Sequence, residues 1–377
     1  VKTSNNFKQL LTFALLITFG LLLRVMFLPA KTLDMDAYLL WYSYIAKNGI
    51  AASIGSDYFG YNPPFIYLLA LATLTRSFIP PAIAIKLIPF TFDILNTILV
   101  YRIVRVQEPE GTKPLLASLL FWVAPTIMIN SSFWGQTDSL FTCFLLLTVL
   151  LILKEKPTLT LAAFAVAFAI KAQAVLIAPF LGILFFKKRI PFLSFLIVPF
   201  VYAASFIPAL LAGRPVSSLL STYGAQGETF AKASMNAANP YFFVGPRGYE
   251  TTLYVGIALA VIILLAWVLI YGFKKYELTN PIVIFSALIS LAIVPYILPK
   301  MHDRYFYPAD VFSIIMVFFF PKLWFVPVAY QIMSFISYLP YLFDIRAKSL
   351  IPTAFFINTG IILFLLWRQW KMTDQKI

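Results

Sequence analysis

The stretch PPFIYLLALATLTRSF, residues Pro63–Phe78, decides how this chain is threaded. It is apolar enough to suggest a membrane span, yet it is short and opens on Pro63-Pro64. If it crosses, every later loop changes sides. If it lies flat at an interface, with its apolar face in the headgroup region, the later loops stay where they are. Charge decides between the two readings.

The chain has 377 residues, of which 61% are hydrophobic, 17% aromatic and only 12% charged. Soluble domains carry roughly a quarter charged residues, so lipid must be part of the solvent. A spanning helix needs about 20 apolar residues, and apolar runs recur from Leu10 to Trp367. Candidate spans are 9–28, 82–103, 114–131, 138–153, 157–170, 174–186, 190–211, 251–273, 280–299, 305–320, 323–340 and 351–367, about twelve in all. Between them stand the basic clusters Arg102/Arg105/Lys113, Lys154/Lys156, Lys187/Lys188/Arg189, Lys274/Lys275, Lys322 and Arg368/Lys371/Lys376. With the N-terminus inside, alternation places all of them on the cytoplasmic side, as the positive-inside rule requires. A crossing at Pro63–Phe78 would send these clusters outward. That segment is therefore read as an interfacial helix, and Asp36–Lys47, apolar on one side and polar on the other, as a second one.

The expected fold is an all-α polytopic membrane protein, one integral membrane domain over residues 1–377. Its first outer loop, 29–81, carries two juxtamembrane helices, and a second large outer loop covers 212–250. The net charge of +14 would suggest nucleic acid in a soluble protein; here basic cytoplasmic loops account for it, and no nucleic-acid partner is expected. The single Cys143 can form no internal disulfide and reads as a packing residue. The first apolar run follows Lys2 and Lys8 with no small-residue cleavage site after it, so it reads as a retained helix. Val1 fits a non-ATG start in a prokaryote, hence a plasma (inner) membrane, and fits trimming equally well.

The segment Lys154–Arg189 is the second decision. As one helix, its 30 or so apolar residues would be about 45 Å long and would put Lys187-Lys188-Arg189 outside. Split at Lys171-Ala172-Gln173, it gives arms of about 14 residues, each rising about 20 Å against a hydrocarbon core of about 30 Å. The tip then lies below the outer surface. A lysine there costs about 2.5–3.5 kcal/mol on insertion scales, so Lys171 should face a polar cavity or a partner.

With this threading the outer side collects the unusual polar segments. They are Asp34-Met-Asp36, Tyr61-Asn62-Pro63-Pro64, Trp134-Gly-Gln136-Thr-Asp138-Ser139, Lys171-Ala-Gln173, Asn236-Ala-Ala-Asn239-Pro240 and Met301-His302-Asp303-Arg304-Tyr305. The other side holds mainly basic residues. Asp34 and Asp36 can activate a hydroxyl, one as general base and one as orienter; either can equally cap a helix. Trp134 is an interfacial anchor or, with Gln136 and Asp138, part of a site in which an aromatic face meets a sugar ring and the polar groups its hydroxyls. Lys171 binds a lipid phosphate and stabilises it as a leaving group, or snorkels to the interface. Arg304 takes phosphate with its bidentate fork or pairs with Asp303. His302, the only histidine, is a proton carrier or a plain hydrogen-bonding group. No Walker loop, Rossmann glycines, zinc spacing or nucleophile elbow is present.

The ordered set Asp34-Met-Asp36-Ala-Tyr38, Tyr61-Asn-Pro-Pro64, Phe133-Trp-Gly-Gln-Thr-Asp-Ser-Leu140, Lys171-Ala-Gln173 and Lys300-Met-His-Asp-Arg-Tyr-Phe306 resembles GT-C membrane glycosyltransferases. It looks most like the bacterial and archaeal relatives of the GPI-anchor mannosyltransferases, over nearly the whole chain. The resemblance implies a large first outer loop with juxtamembrane helices and a polyprenyl- or dolichyl-phosphate sugar donor, often mannose. It also implies inverting transfer to a hydroxyl of a glycan or lipid-linked acceptor, with an aspartate of the first outer loop as base. Asp34 fits that aspartate slightly better than Asp36. Two departures stand out: the family's HERY is HDRY here, and its KPQ is KAQ, which lacks the helix-breaking proline. The expected binding residues are Asn62, Trp134, Gln136, Asp138, Lys171, Gln173, Asn239, His302, Asp303, Arg304 and Tyr305. No cofactor is obligatory, and a divalent metal is not indicated. The rival reading is a transporter or lipid flippase, which would place its charges at the midplane of repeated halves. The chain has one deep charge and no evident repeat.

Overall fold

The computed structural model describes residues 2–245 and 248–374, with side chains from Leu11 onward. Val1, Lys376 and the side chains of Lys2 and Lys8 lie outside the described residues. Helix α1 (Lys2–Phe27) runs into α2 (Leu33–Asn48), a short α3 (Ile50–Ile54) and α4 (Pro63–Thr73). Met35, Tyr38, Tyr42 and Ile45 form one buried stripe on α2, and Phe65, Ile66, Leu69 and Ala70 bury the matching face of α4. Spacings of three and four residues put such side chains on one helix face. The stretch Pro63–Phe78 is helical over only 11 residues, with turns after Thr73. That is about 16 Å of rise, half of what a crossing needs.

Then follow α5 (Pro81–Gln107), α6 (Lys113–Val123), α7 (Pro125–Met128), a π-helical turn (Ile129–Trp134), α8 (Asp138–Leu153) and α9 (Pro157–Ile170). A 3-10 turn (Ala172–Ile177) leads to α10 (Ala178–Phe186); α11 (Ile197–Ala204) and α12 (Ile207–Leu211) continue one apolar segment, and α13 (Val216–Glu228) crosses the second loop. The chain ends in α14 (Tyr249–Phe273), α15 (Asn280–Ile297), α16 (Tyr307–Phe319), α17 (Phe325–Phe343) and α18 (Ala347–Thr373). The central helix is α15, buried without interruption from Val283 to Pro295, as expected of a helix apolar all round. Among the described residues, strand content is one parallel pair of two-residue strands, Ser234–Met235 and Met301–His302, which stitches the second loop to the segment after α15.

The architecture is that of an all-α membrane protein, but not with twelve spans. Among the described residues, six helical segments are long and apolar enough to cross: Pro81–Gln107, Phe192–Leu211, Tyr249–Phe273, Asn280–Ile297, Pro321–Phe343 and Ala347–Thr373. The bent pair Lys113–Val123 and Pro125–Trp134 makes a seventh if counted as one span. Apart from the run 9–28, which lies in the 26-residue α1, the remaining candidate runs are shorter helices. Among them α8 has 16 residues, α9 has 14 and α16 has 13. At 1.5 Å per residue these rise only about 20–24 Å. Hydropathy locates apolar sequence, but the chain breaks its helices at Pro125, Gly135 and Lys171, inside or beside those runs.

The basic clusters meet at one end of the bundle. Arg189 Nη1 lies 3.5 Å from Glu155 Oε1, so the two ends of the segment that turns at Lys171 return to the same side. Lys187 Nζ donates to the Lys274 carbonyl at 2.5 Å, and Lys274 Nζ lies 3.2 Å from Asp374 Oδ1. Arg102 and Arg105 share a cleft with Lys154; Phe320, beside Pro321-Lys322, shares another with Arg368 and Lys371. Lys113 pairs with Glu108 at the end of α5. Asp138, Lys171 and Tyr341 stand at the opposite ends of α8, α9 and α17.

Candidate active site

The site begins with Asp34, in the first turn of α2, where the helix dipole favours an acidic side chain. Its carboxylate does not cap the helix. Oδ2 accepts from Trp134 Nε1 at 2.8 Å and from Gln136 Nε2 at 2.5 Å, and Oδ1 accepts from the Tyr341 hydroxyl at 2.8 Å. An ionised carboxylate offers about four lone-pair positions, so one is left for a further donor. Asp36, two residues on, is exposed and has no partner among the described residues. The two aspartates therefore part company, because residues two apart do not share a helix face.

Trp134, Gly135 and Gln136 reach Asp34 because the helix before them changes character. Residues Ile129–Trp134 form a π-helical turn, a rare element that recurs at functional sites. Gly135 ends it in the left-handed region, at φ +80°. A Cβ on Gly135 would lie 2.6 Å from Met35 Cε and 3.2 Å from Lys86 Cγ. The buried Lys86 ammonium donates to the carbonyls of Phe27 (3.2 Å), Ala30 (2.6 Å) and Phe133 (2.6 Å). Thr32 Oγ1 donates to the Trp134 carbonyl at 3.2 Å. The end of α1, the start of α2 and the Trp134 loop are thus tied together.

Asp138, at the start of α8, is the second carboxylate. Its Oδ1 lies 2.5 Å from Lys171 Nζ, and its Oδ2 accepts from Asn130 Nδ2 at 2.9 Å. Lys171 adopts an extended conformation between α9 and the 3-10 turn. The break occurs although Lys171-Ala172-Gln173 contains no proline. Of the two outcomes expected for Lys171, the structure has a buried partner rather than a snorkelling chain. Arg304 Nε lies 3.9 Å from Asp138 Oδ2, and its Nη1 lies 3.9 Å from Asp303 Oδ1. The guanidinium stands over the Trp134 ring, 5.3 Å from its centroid. Gln173 Nε2 donates to the Tyr305 hydroxyl at 2.7 Å.

Electrostatics separates the members of the His302-Asp303-Arg304 segment. Burial, with the Asp34 and Asp138 charges adding to it, pushes the Asp303 carboxyl up to about 7, against the pull of Arg304. Burial alone would lower Arg304; the carboxylates of Asp138, Asp34 and Asp303 outweigh it and hold its proton more tightly still. Burial, then the cations Arg304 and Lys171, drive His302 down to about 2. His302 stays neutral, packed against Phe230 and Tyr305, which does not suit a proton carrier.

Three of the expected binding residues have partners within the protein itself. The Trp134 ring is fully buried and stacked on Tyr341 with 5.2 Å between centroids, with Arg304 also against it. It serves as a hydrogen-bond donor to Asp34 and offers no free face to a sugar. Asn62 is a fastener: its Nδ2 donates to the Ala169 carbonyl and the Tyr202 hydroxyl, both at 3.3 Å. Asn239 is another, bridging the carbonyls of Pro295 and Leu298 at the end of α15.

Sequence reading missed Tyr341, Lys86 and the fully buried pair Arg24–Asp93, 2.5 Å apart and joined by Ser131. The signal for the charged ones was present, since ionisable residues inside apolar runs are rare and generally functional. Nothing marked Tyr341 among the many aromatic residues of its helix. Among the described residues no three His, Cys, Asp or Glu side chains converge on a possible metal position. No protein-family model matches the chain, and no curated protein matches it in sequence.

Proposed function

We propose that this protein is a membrane-embedded glycosyltransferase. More narrowly, it transfers a hexose, mannose by resemblance, from a polyprenyl-phosphate donor to a hydroxyl of a glycan or lipid-linked acceptor, with inversion. The observation that carries the reading is the convergence on Asp34. Donors from the Trp134 loop and from α17 hold a carboxylate that keeps one lone pair free, beside the ion pairs of Asp138 with Lys171 and Arg304.

In this reading Asp34 accepts the acceptor's hydroxyl proton as that oxygen attacks the anomeric carbon. The bond from that carbon to the phosphate oxygen breaks, and the lipid phosphate leaves with the electron pair. Lys171 and Arg304 balance the charge that develops, which is worth most in a water-poor site. Arg304 is suited to turning toward a phosphate, since both of its carboxylate contacts are long. Gln136 Oε1 and Gln173 Oε1 are buried without donors, which suits sugar hydroxyls. The gathering of the basic clusters at the opposite end supports an outward-facing site.

Membranes containing the protein, given polyprenyl-phosphate mannose and polyprenyl-phosphate glucose in parallel, test this. Asp34→Asn should lower transfer by about 10²–10⁴-fold, the usual share of a general base, while Asp36→Asn stays near wild type. Full transfer by Asp34→Asn, or sugar uptake into vesicles with no covalent product, would overturn the reading; the latter would favour transport.

A further inference from the structure

A cleft lies at the basic end, away from Asp34. It has a volume of about 610 Å³ and is lined by Thr279, Phe320, Trp367, Arg368, Lys371 and Asp374, among others. Pockets of roughly 300–1,000 Å³ are the size that holds small ligands. The orientation of α18 in this cleft is fixed by a buried polar bridge. Gln369 Oε1 accepts from Trp267 Nε1 at 2.9 Å, and its Nε2 donates to Ser286 Oγ at 3.0 Å. That lock turns Arg368 and Lys371, three residues apart and so on one face, into the cleft.

Neither cation is compensated among the described residues. The acidic residue that lines the cleft, Asp374, is engaged by Lys274 at 3.2 Å. Arg368 and Lys371 make no ion pair among the described residues, and Arg368 Nε is buried without an acceptor. A buried guanidinium nitrogen without a partner is costly, and a phosphate oxygen would satisfy it. Beside the cleft, exposed Trp367, Leu363 and Phe356 continue along α18, at spacings of four and seven residues. One helix thus offers cations at its end and an apolar track running away from them.

We propose that this cleft binds the headgroup of an anionic phospholipid, with the phosphodiester on Arg368 and Lys371 and an acyl chain along Trp367, Leu363 and Phe356. Basic pockets between helices on the cytoplasmic side take such lipids. A free phosphate would use the cations but not the track. The site is independent of the transfer chemistry.

The intact protein, purified in detergent with phosphatidylglycerol or phosphatidylcholine and weighed by native mass spectrometry, tests the proposal. Wild type should retain phosphatidylglycerol in preference to phosphatidylcholine. Arg368→Gln with Lys371→Gln should lose roughly 20- to 30-fold in affinity, the effect of two cations near a lipid surface. If that double variant does not fold, Lys371→Gln alone should lose about fivefold. Arg102→Gln with Arg105→Gln, at another basic cleft, should bind as wild type does. Equal retention of both lipids, an equal loss in both double variants, or inorganic phosphate competing as well as phosphatidylglycerol does would overturn the proposal.

Discussion

Asp303 departs far from the behaviour of a free aspartate. It is buried, its Oδ1 accepts the Arg304 backbone N–H at 2.8 Å, and its carboxyl is pushed up to about 7. In the unfolded chain an aspartate titrates near 3.9. The folded state therefore holds this proton over a range in which the unfolded state has released it. Stability from this group is full below about pH 4 and is lost as pH rises through about 7. Thermal unfolding in detergent should give a lower midpoint at pH 8 than at pH 5, and Asp303→Asn, which keeps the acceptor oxygen, should narrow that difference. An unchanged difference would show that other groups carry the pH dependence. This residue was legible in sequence as part of HDRY; its protonation was not, because it depends on burial and on Asp34 and Asp138, which lie far away in sequence. Tyr341 was not legible at all, for the same reason: only folding brings its hydroxyl to Asp34.

At the scale of elements, the π-helical turn Ile129–Trp134 does the most to shape the site. It carries Trp134 at its end, and Gly135 then lets the chain turn so that Gln136 reaches the same carboxylate oxygen. Gly135→Ala should fail on two counts. The left-handed backbone costs a residue with a Cβ roughly 1–2 kcal/mol, and that Cβ would press on Met35 and Lys86. The variant should unfold at a lower temperature and, in the proposed transfer reaction, show a lower kcat per folded molecule because the geometry of Asp34 is disturbed. A Gly135→Ala protein with wild-type stability and kcat would show that the turn has slack. The motif WGQ was visible in the sequence, but the π-turn was not. Neither was the shortness of α8, α9 and α16, since apolarity persists through a helix break while the hydrogen-bond ladder does not. Helices in the stretches Asp36–Lys47 and Pro63–Phe78 were legible from their apolar patterning; that they lie at the outer interface is a proposal that rests on the sign of charge in distant loops.

The whole molecule is polar at both ends in different ways. One end gathers Arg102, Lys154, Arg189, Lys274 and Lys371; the other gathers Asp34, Asp138, Lys171 and Arg304. Shorter helices do not by themselves change which end a residue occupies, because a break such as that at Lys171 can return the chain to the side it left. Sidedness is therefore a sharper property of this fold than the number of crossings, and it can be measured directly. In a background with the buried Cys143 replaced by alanine, single cysteines at Asp36 and Asp57 should react with an impermeant maleimide from outside sealed cells. Cysteines at Lys188 and Lys275 should react only after the membrane is opened, as the positive-inside rule orients this bundle. Labelling of Asp57 and Lys188 positions from the same side would mean that the segment Pro63–Thr73, or the turn at Lys171, crosses the bilayer after all. It would also remove the outward-facing site, because both conclusions depend on the same count of sides.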